Sequence, residues 1–235
     1  GQYQSVLGAL AYLMITRIDL AVYVAALQRA AHAPTVAHAK RLNVLVRNVQ
    51  RTPVDLVYRK LHGPVELLVI SDSAFKRATD TCHAMKGYLL VLHFITTSDS
   101  TGQPVADGNS SSSRSPLWTT ESSQSTTLAS ASVMILEYAC KKQKHVCRST
   151  FAAELFAAVD AIDAALHIAT ALFELVAGSQ TLIAMRSFRD GRLRSPLPIT
   201  VAIDAASVFE AIVADLVKVP SEKSLFLHLF WVREL

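Results

Sequence analysis

The stretch over residues 151–176 limits the folds open to this chain more than any other. Phe151, Leu155, Val159, Ile162, Leu166, Phe173 and Val176 recur at i, i+4, i+7 spacing, which lays apolar side chains along one face of an α-helix. Ser149 or Thr150 can cap its start, and Gly178 ends it. A helix this long needs a broad apolar surface to cover, and β-rich runs supply one. Val65 to Ile70, ending at Ser71-Asp72-Ser73, and Gly87 to Leu92 lie upstream, Met134 to Cys140 comes just before the helix, and Pro198 to Ile203 follows it. Asp204 closes this last strand, a helix over about 205–217 comes next, and 221–235 reads as a final helix. The basic stretch holding Arg186, Arg189, Arg192 and Arg194 reads as irregular. Strands first, then helices alternating with strands, predict an α/β domain around a mixed sheet.

The first sixty residues differ. Residues 3–31 carry helical spacing, with a break between Thr16 and Asp19, and Thr35 can cap a third helix from Val36 to about Val49. No glycine-rich phosphate loop is present there, so this is a helical arm. Residues 1–62 hold eight basic groups (Arg17, Arg29, Lys40, Arg41, Arg47, Arg51, Arg59 and Lys60) against Asp19 and Asp55. With a net charge of +4 for the whole chain, the positive excess sits on the arm. Such an arm suits a polyanion lying across it and the neutral remainder, or is a solvated helix face.

Other features narrow the class. Hydrophobic residues make up 51% of the chain, enough for a real core. Cys82, Cys140 and Cys147 form no CxxC pair and are odd in number, which argues against a disulfide framework or a zinc site and for reduced thiols in an intracellular protein. The apolar stretches 5–27 and 155–177 are interrupted by Arg17 and Asp19, and by Asp160, Asp163, His167 and Glu174, so no membrane span is expected. Residues 96–132, rich in Ser and Thr, read as a disordered or lengthened loop. A start without Met and an end at Leu235 suggest a piece of a longer protein.

Three acids occupy comparable places: Asp72 and Asp204 at strand ends, and Glu154 in the first turns of the long helix. Together they could hold Mg²⁺, a hard cation that takes oxygen ligands and bridges to substrate phosphates. Two ions about 3.5–4 Å apart would serve phosphodiester cleavage, and carboxyl groups more than about 8 Å apart could not share them. Each acid also has an ordinary structural reading. Asp204 can be a helix N-cap, Asp72 a turn residue, and Glu154 a complement to the helix dipole.

The sequences around these acids resemble the Pol polyprotein of copia-type retrotransposons. Tyr3 to Leu13 followed by Thr16-Arg17-Ile18-Asp19, with Ala39-Lys40-Arg41 beyond, is similar to the end of that family's reverse transcriptase. Ser71-Asp72-Ser73-Ala74-Phe75 resembles its S-D-A-D-W box, and Lys86-Gly87-Tyr88 its S-G-Y strand start. Lys141 to Leu155 resembles K-K-Q-x-x-V-x-x-S-T-x-E-A-E-Y. Ile203-Asp204-Ala205-Ala206-Ser207 resembles C-D-N-Q-S, and Lys223 to Leu235 resembles its closing helix.

The resemblance implies a helical tail of reverse transcriptase over 1–60 and a ribonuclease H-like domain over 61–235, with a mixed five-stranded sheet flanked by helices. It further implies Asp72, Glu154 and Asp204 as catalytic and metal-binding acids using Mg²⁺ or Mn²⁺. Lys141, Lys142, Lys144 and Arg148 would contact an RNA–DNA hybrid, whose recognition by shape and 2′-OH needs no base-reading motif. The reverse transcriptase portion of the same polyprotein would be a partner. The setting would be cytoplasmic, in a virus-like particle, or nuclear. This sequence departs from the family pattern at Phe226, which stands where a fourth acid is expected, at Ala205 and Ala206, and near Phe75. His228, two residues beyond the missing acid, is a candidate for assisting product release. The alternative function is a catalytically decayed remnant that binds nucleic acid or serves as a scaffold.

Overall fold

The computed structural model describes residues 1–58, 60–61, 64–75, 84–94, 133–178, 180–189, 197–216, 220 and 222–235. Cys82 and the loop expected at about 96–132 lie outside these residues. The chain opens with α1 (Gln2–Leu13), a 3₁₀ turn at Ile18–Leu20, α2 (Ala21–Gln28) and α3 (Val36–Arg51). Thr35 caps α3 by accepting a hydrogen bond from the His38 N–H. These helices enclose a core of their own made by Leu7, Leu10, Leu20, Val24, Leu27, Leu42 and Leu45. Arg17 is buried at 6% exposure. It donates two hydrogen bonds to the Asp19 carboxylate at 2.9 and 2.8 Å and a third to the Thr52 carbonyl at 2.9 Å. That fork joins the break after α1 to the end of α3.

The sheet follows, built from β1 (Val65–Ala74), β2 (Met85–Phe94), β3 (Val133–Lys142) and β4 (Ile199–Ile203) in the order β3-β2-β1-β4. β1 pairs antiparallel with β2 and parallel with β4, and β2 pairs antiparallel with β3. The sheet is therefore mixed. Among the described residues it has four strands, where the resemblance implied five. Every strand run read from the sequence is present. β1, however, continues through Ala74, so Asp72 lies inside the strand opposite Gly87 and not in a turn.

One face of the sheet is covered by α4 (Thr150–Ala177), capped by Ser149, whose hydroxyl accepts from the Ala152 N–H at 3.1 Å, and terminated by Gly178 at φ 78°. That positive φ is the conformation glycine tolerates best. The helix meets Leu67, Val69 and Leu90 of the sheet through small residues, Ala161, Ala165 and Ala169, and Ala152, Ala153, Ala157 and Ala158 are also all but fully buried. Leu155 and Ile162 join them, while Val176, expected on the buried face, is exposed. Alanines allow close approach to the twisted sheet, a packing that a reading weighted to large apolar residues passes over. By length and composition α4 could cross a membrane, but here it is the central core helix. Leu67, Val69 and Leu90 of the sheet pack on it on one side of the core, and Val208, Ile212, Leu225, Leu229 and Val232 complete the other.

The basic stretch read as irregular instead forms α5 (Leu182–Arg189) over the part described. The side chains that complete the core come from α6 (Ala206–Val213) and α7 (Leu225–Glu234). Arg233 bonds the Ala211 and Ala214 carbonyls at 3.2 and 2.6 Å, satisfying the end of α6. The arm reaches the sheet where the Tyr138 hydroxyl donates to the Met14 carbonyl at 2.5 Å.

Candidate metal centre

β1 and β4 run in parallel, and their carboxyl ends point the same way. β4 stops at Ile203, level with Ser71. The place beside Asp72 on that side of β1 is thus left without a strand. Asp204 follows directly from β4, and Glu154 approaches from the second turn of α4. The three residues each offer a carboxylate oxygen, and these oxygens lie within 4.8 Å of one another. Asp72 and Asp204 are exposed and Glu154 is half-buried.

None of the ordinary readings accounts for this convergence. The N-cap of α6 is Ala205, with no side-chain cap, so Asp204 is not the cap. Asp72 is a strand residue. Glu154 lies past the first turn of α4, which carries no acid. Three like charges at such short range repel one another unless protons or cations intervene. At Glu154 burial pushes the carboxyl above the ordinary value, and the charges of Asp204 and Asp72 add to the rise. Ser73 pulls the other way, although its hydroxyl, like that of Ser71, is buried without a well-formed hydrogen bond.

The remaining sequence-derived candidates are not gathered at this point. Lys141 lies on the α4 side of the sheet, its ammonium 3.8 Å from Asp160 and 5.8 Å above the Tyr88 ring. Alternation along β3 puts Lys142 on the other face, the one that carries Cys140 and Asp72. Lys144 and Arg148 are exposed in the connection to α4. His228 stands edge-on to Phe156, with ring centroids 5.1 Å apart, and Phe156 in turn stacks on His145 at 5.3 Å. Among the described residues the acidic cluster consists of the three carboxylates alone. Phe226, where the family resemblance led to the expectation of a fourth acid, stacks on Phe230.

Two supports of the site lie inside motif boxes, but nothing in the sequence marks their structural role. Gln143, 2% exposed, draws no attention beside the lysines, yet it ties β3 to α4. Its N–H donates to the Ala84 carbonyl at 2.8 Å, its side-chain amide donates to the Ala153 carbonyl at 2.7 Å, and its side-chain oxygen accepts from the Cys147 thiol at 2.7 Å. Ala153 immediately precedes Glu154, so this bond fixes where the acid enters the cluster. Gln143→Leu is expected to cost about 1–3 kcal/mol, since it strips buried polar groups of their partner. Urea unfolding at neutral pH measures this. The second support is an ion pair between Lys86 of β2 and Asp160 of α4.

An open groove runs beside the cluster on the face of the sheet opposite α4, between the sheet and the arm. Ile18, Asp19, Ala21 and Val22 of the arm form one wall, and Ile70, Asp72, Gly87 and Cys140 lie across from them. Asp72, Gly87 and Cys140 share one row across three strands. The glycine places no side chain between the acid and the thiol.

Fold and site together define an α/β domain with an acidic triad, able to bind a metal ion, at the carboxyl ends of two adjacent parallel strands. No family model matches the chain, and no solved structure matches it. It is 31% identical over 91 residues to the retrovirus-related Pol polyprotein from transposon RE2 of Arabidopsis thaliana, a match covering 39% of this chain and 6% of that polyprotein. The chain thus spans a small part of the relative's length. The likeness supports an origin in a retrotransposon Pol polyprotein.

Proposed function

We propose that this chain carries the ribonuclease H region of a retrotransposon Pol polyprotein and hydrolyses the RNA strand of RNA–DNA hybrids. The observation that carries the reading is the approach of the Asp72, Glu154 and Asp204 carboxylates to within 4.8 Å. Three hard oxygen donors with an elevated Glu154 suit Mg²⁺ or Mn²⁺ better than softer metals. When bound there, such ions supply an activated water and stabilise the leaving oxygen of a phosphodiester.

The protein's own groups divide the remaining work. Asp72 and Asp204, both exposed, leave the site open to a backbone from the groove side. Half-buried Glu154 is held in register by Gln143. Lys142, on the Asp72 face, meets the phosphates of an incoming strand, with Lys144 and Arg148 extending that contact toward α4. Lys141 serves them indirectly through Asp160 and Tyr88. His228 assists product departure only if its ring leaves Phe156.

Cleavage of a labelled hybrid with Mg²⁺ or Mn²⁺ tests the reading. Asp204→Asn is expected to lower the rate at least about 10²-fold, with the fold intact. Retained cleavage in that variant removes the assignment. Phe226 in place of a fourth acid favours a second reading, a remnant that binds nucleic acid without cutting it. That reading predicts hybrid affinity falling steeply with salt and indifferent to Mg²⁺, with no cleavage by the folded protein.

A further inference from the structure

We infer that the outer face of α3 is a docking surface for the phosphate backbone of a nucleic-acid duplex. The helix carries Lys40, Arg41, Arg47 and Arg51, and no acid. At about 100° per residue, Lys40, Arg47 and Arg51 fall within roughly 40° of arc, diametrically opposite the row of Leu42, Leu45, Val46 and Val49 that packs into the arm's core. All four cations are exposed, and among the described residues none forms an ion pair with an acid. An ordinary solvated helix face mixes signs and pairs them at i, i+4; this face does neither.

The stripe is about 16 Å long by helical rise. Along one strand of a duplex that is the axial length of roughly five phosphates. Its position favours nucleic acid over an anionic membrane. Arg17 bonds both Asp19 and the Thr52 carbonyl, one residue past Arg51, and Asp19 lines the groove that holds Asp72. The end of the cationic stripe is thereby fixed beside the wall of the groove leading to the acidic cluster. Choosing the duplex as occupant rests on the nuclease reading; the charge stripe does not.

The test uses the full chain and a labelled RNA–DNA hybrid in EDTA, so that binding is read without cleavage. A Lys40→Gln/Arg47→Gln/Arg51→Gln variant is expected to bind on the order of 10²-fold more weakly at low salt. The slope of log affinity against log salt should flatten by about 3, roughly one unit for each phosphate no longer neutralised. A Lys40→Arg/Arg47→Lys/Arg51→Lys variant, which keeps the charge, should retain both values; a loss there as large as in the neutral variant overturns the inference. Unchanged affinity and slope in the neutral variant also overturn it, as does charge-dependent binding of phosphatidylserine vesicles with none of the hybrid. Asp204→Asn separates the two proposals, because it should abolish cleavage and leave α3-dependent binding intact. If the wild type binds through α3 and never cuts, the nuclease reading fails and this one stands.

Discussion

Glu154→Gln is expected to raise the Tm of the metal-free protein at neutral pH and to abolish its stabilisation by Mg²⁺ or Mn²⁺. Burial and the charges of Asp204 and Asp72 hold the Glu154 carboxyl above its ordinary value of 4.5. The folded state therefore binds a proton more tightly than the unfolded state does. The stability this confers is complete below the ordinary glutamate range and is lost as pH rises through the elevated folded value. In the metal-free wild type the charges of Asp72 and Asp204 oppose ionisation of Glu154, and the amide removes that conflict. Glu154 is half-buried, so solvent screening limits the gain to about 1 kcal/mol, roughly 2–4 °C in Tm for a chain of this size.

The metal response should change in the opposite sense. A ligand at 100 times its Kd stabilises by about 2.7 kcal/mol, and wild type should show such a rise on titration with Mn²⁺ while the variant shows almost none. Differential scanning calorimetry with and without Mn²⁺, repeated from pH 4 upward, reads both effects. A wild-type protein that gains stability on deprotonation, or a variant that keeps the full metal response, would contradict the geometry of the cluster.

How much of the fold and site is legible in the sequence depends on how local each signal is. The four strands and the core helix are written in period-2 and period-3.6 patterns, and each stands in the structure. The three acids stand out because short motifs flank each of them. Their convergence depends on β4 ending level with Ser71, which no local pattern states. The serines around Asp72 make it read as a strand end; pairing with Gly87 of β2 extends β1 beyond them. α5 escapes a local reading because its arginines suggest irregular chain, although Leu182, Ile183, Met185 and Arg186 have an amphipathic arrangement. Alternation along β3 separates Lys141 from Lys142, since consecutive strand residues face opposite sides. Gln143 gives no warning of its burial, as polar residues beside lysines are usually solvated.

The least legible interaction is also the one whose loss should cost most. Lys86 and Asp160 stand 74 residues apart in sequence and meet between the sheet and α4. The Lys86 side chain is 9% exposed and the Asp160 side chain 35%. Removing the acid leaves an ammonium beneath the helix, with Lys141, the other neighbour of Asp160, also cationic. Asp160→Leu is therefore expected to destabilise the fold by about 3–5 kcal/mol, the cost of leaving a buried charge unpaired. Lys86→Met should cost less, because Asp160 is partly solvated and keeps Lys141 within 3.8 Å. Combining Lys86→Met with Asp160→Leu should recover most of the loss, since a buried pair can be replaced by apolar groups of similar volume at little net cost. Urea unfolding of the two single variants and the double variant closes a thermodynamic cycle on the pair. Asp160 and Glu154 lie on the same helix, six residues apart. Any shift of α4 in the single variants should therefore also weaken Mn²⁺ stabilisation, and the double variant should restore it. Additive losses in the double variant would mean that the pair does not set the seat of α4, and that Gln143 alone positions Glu154.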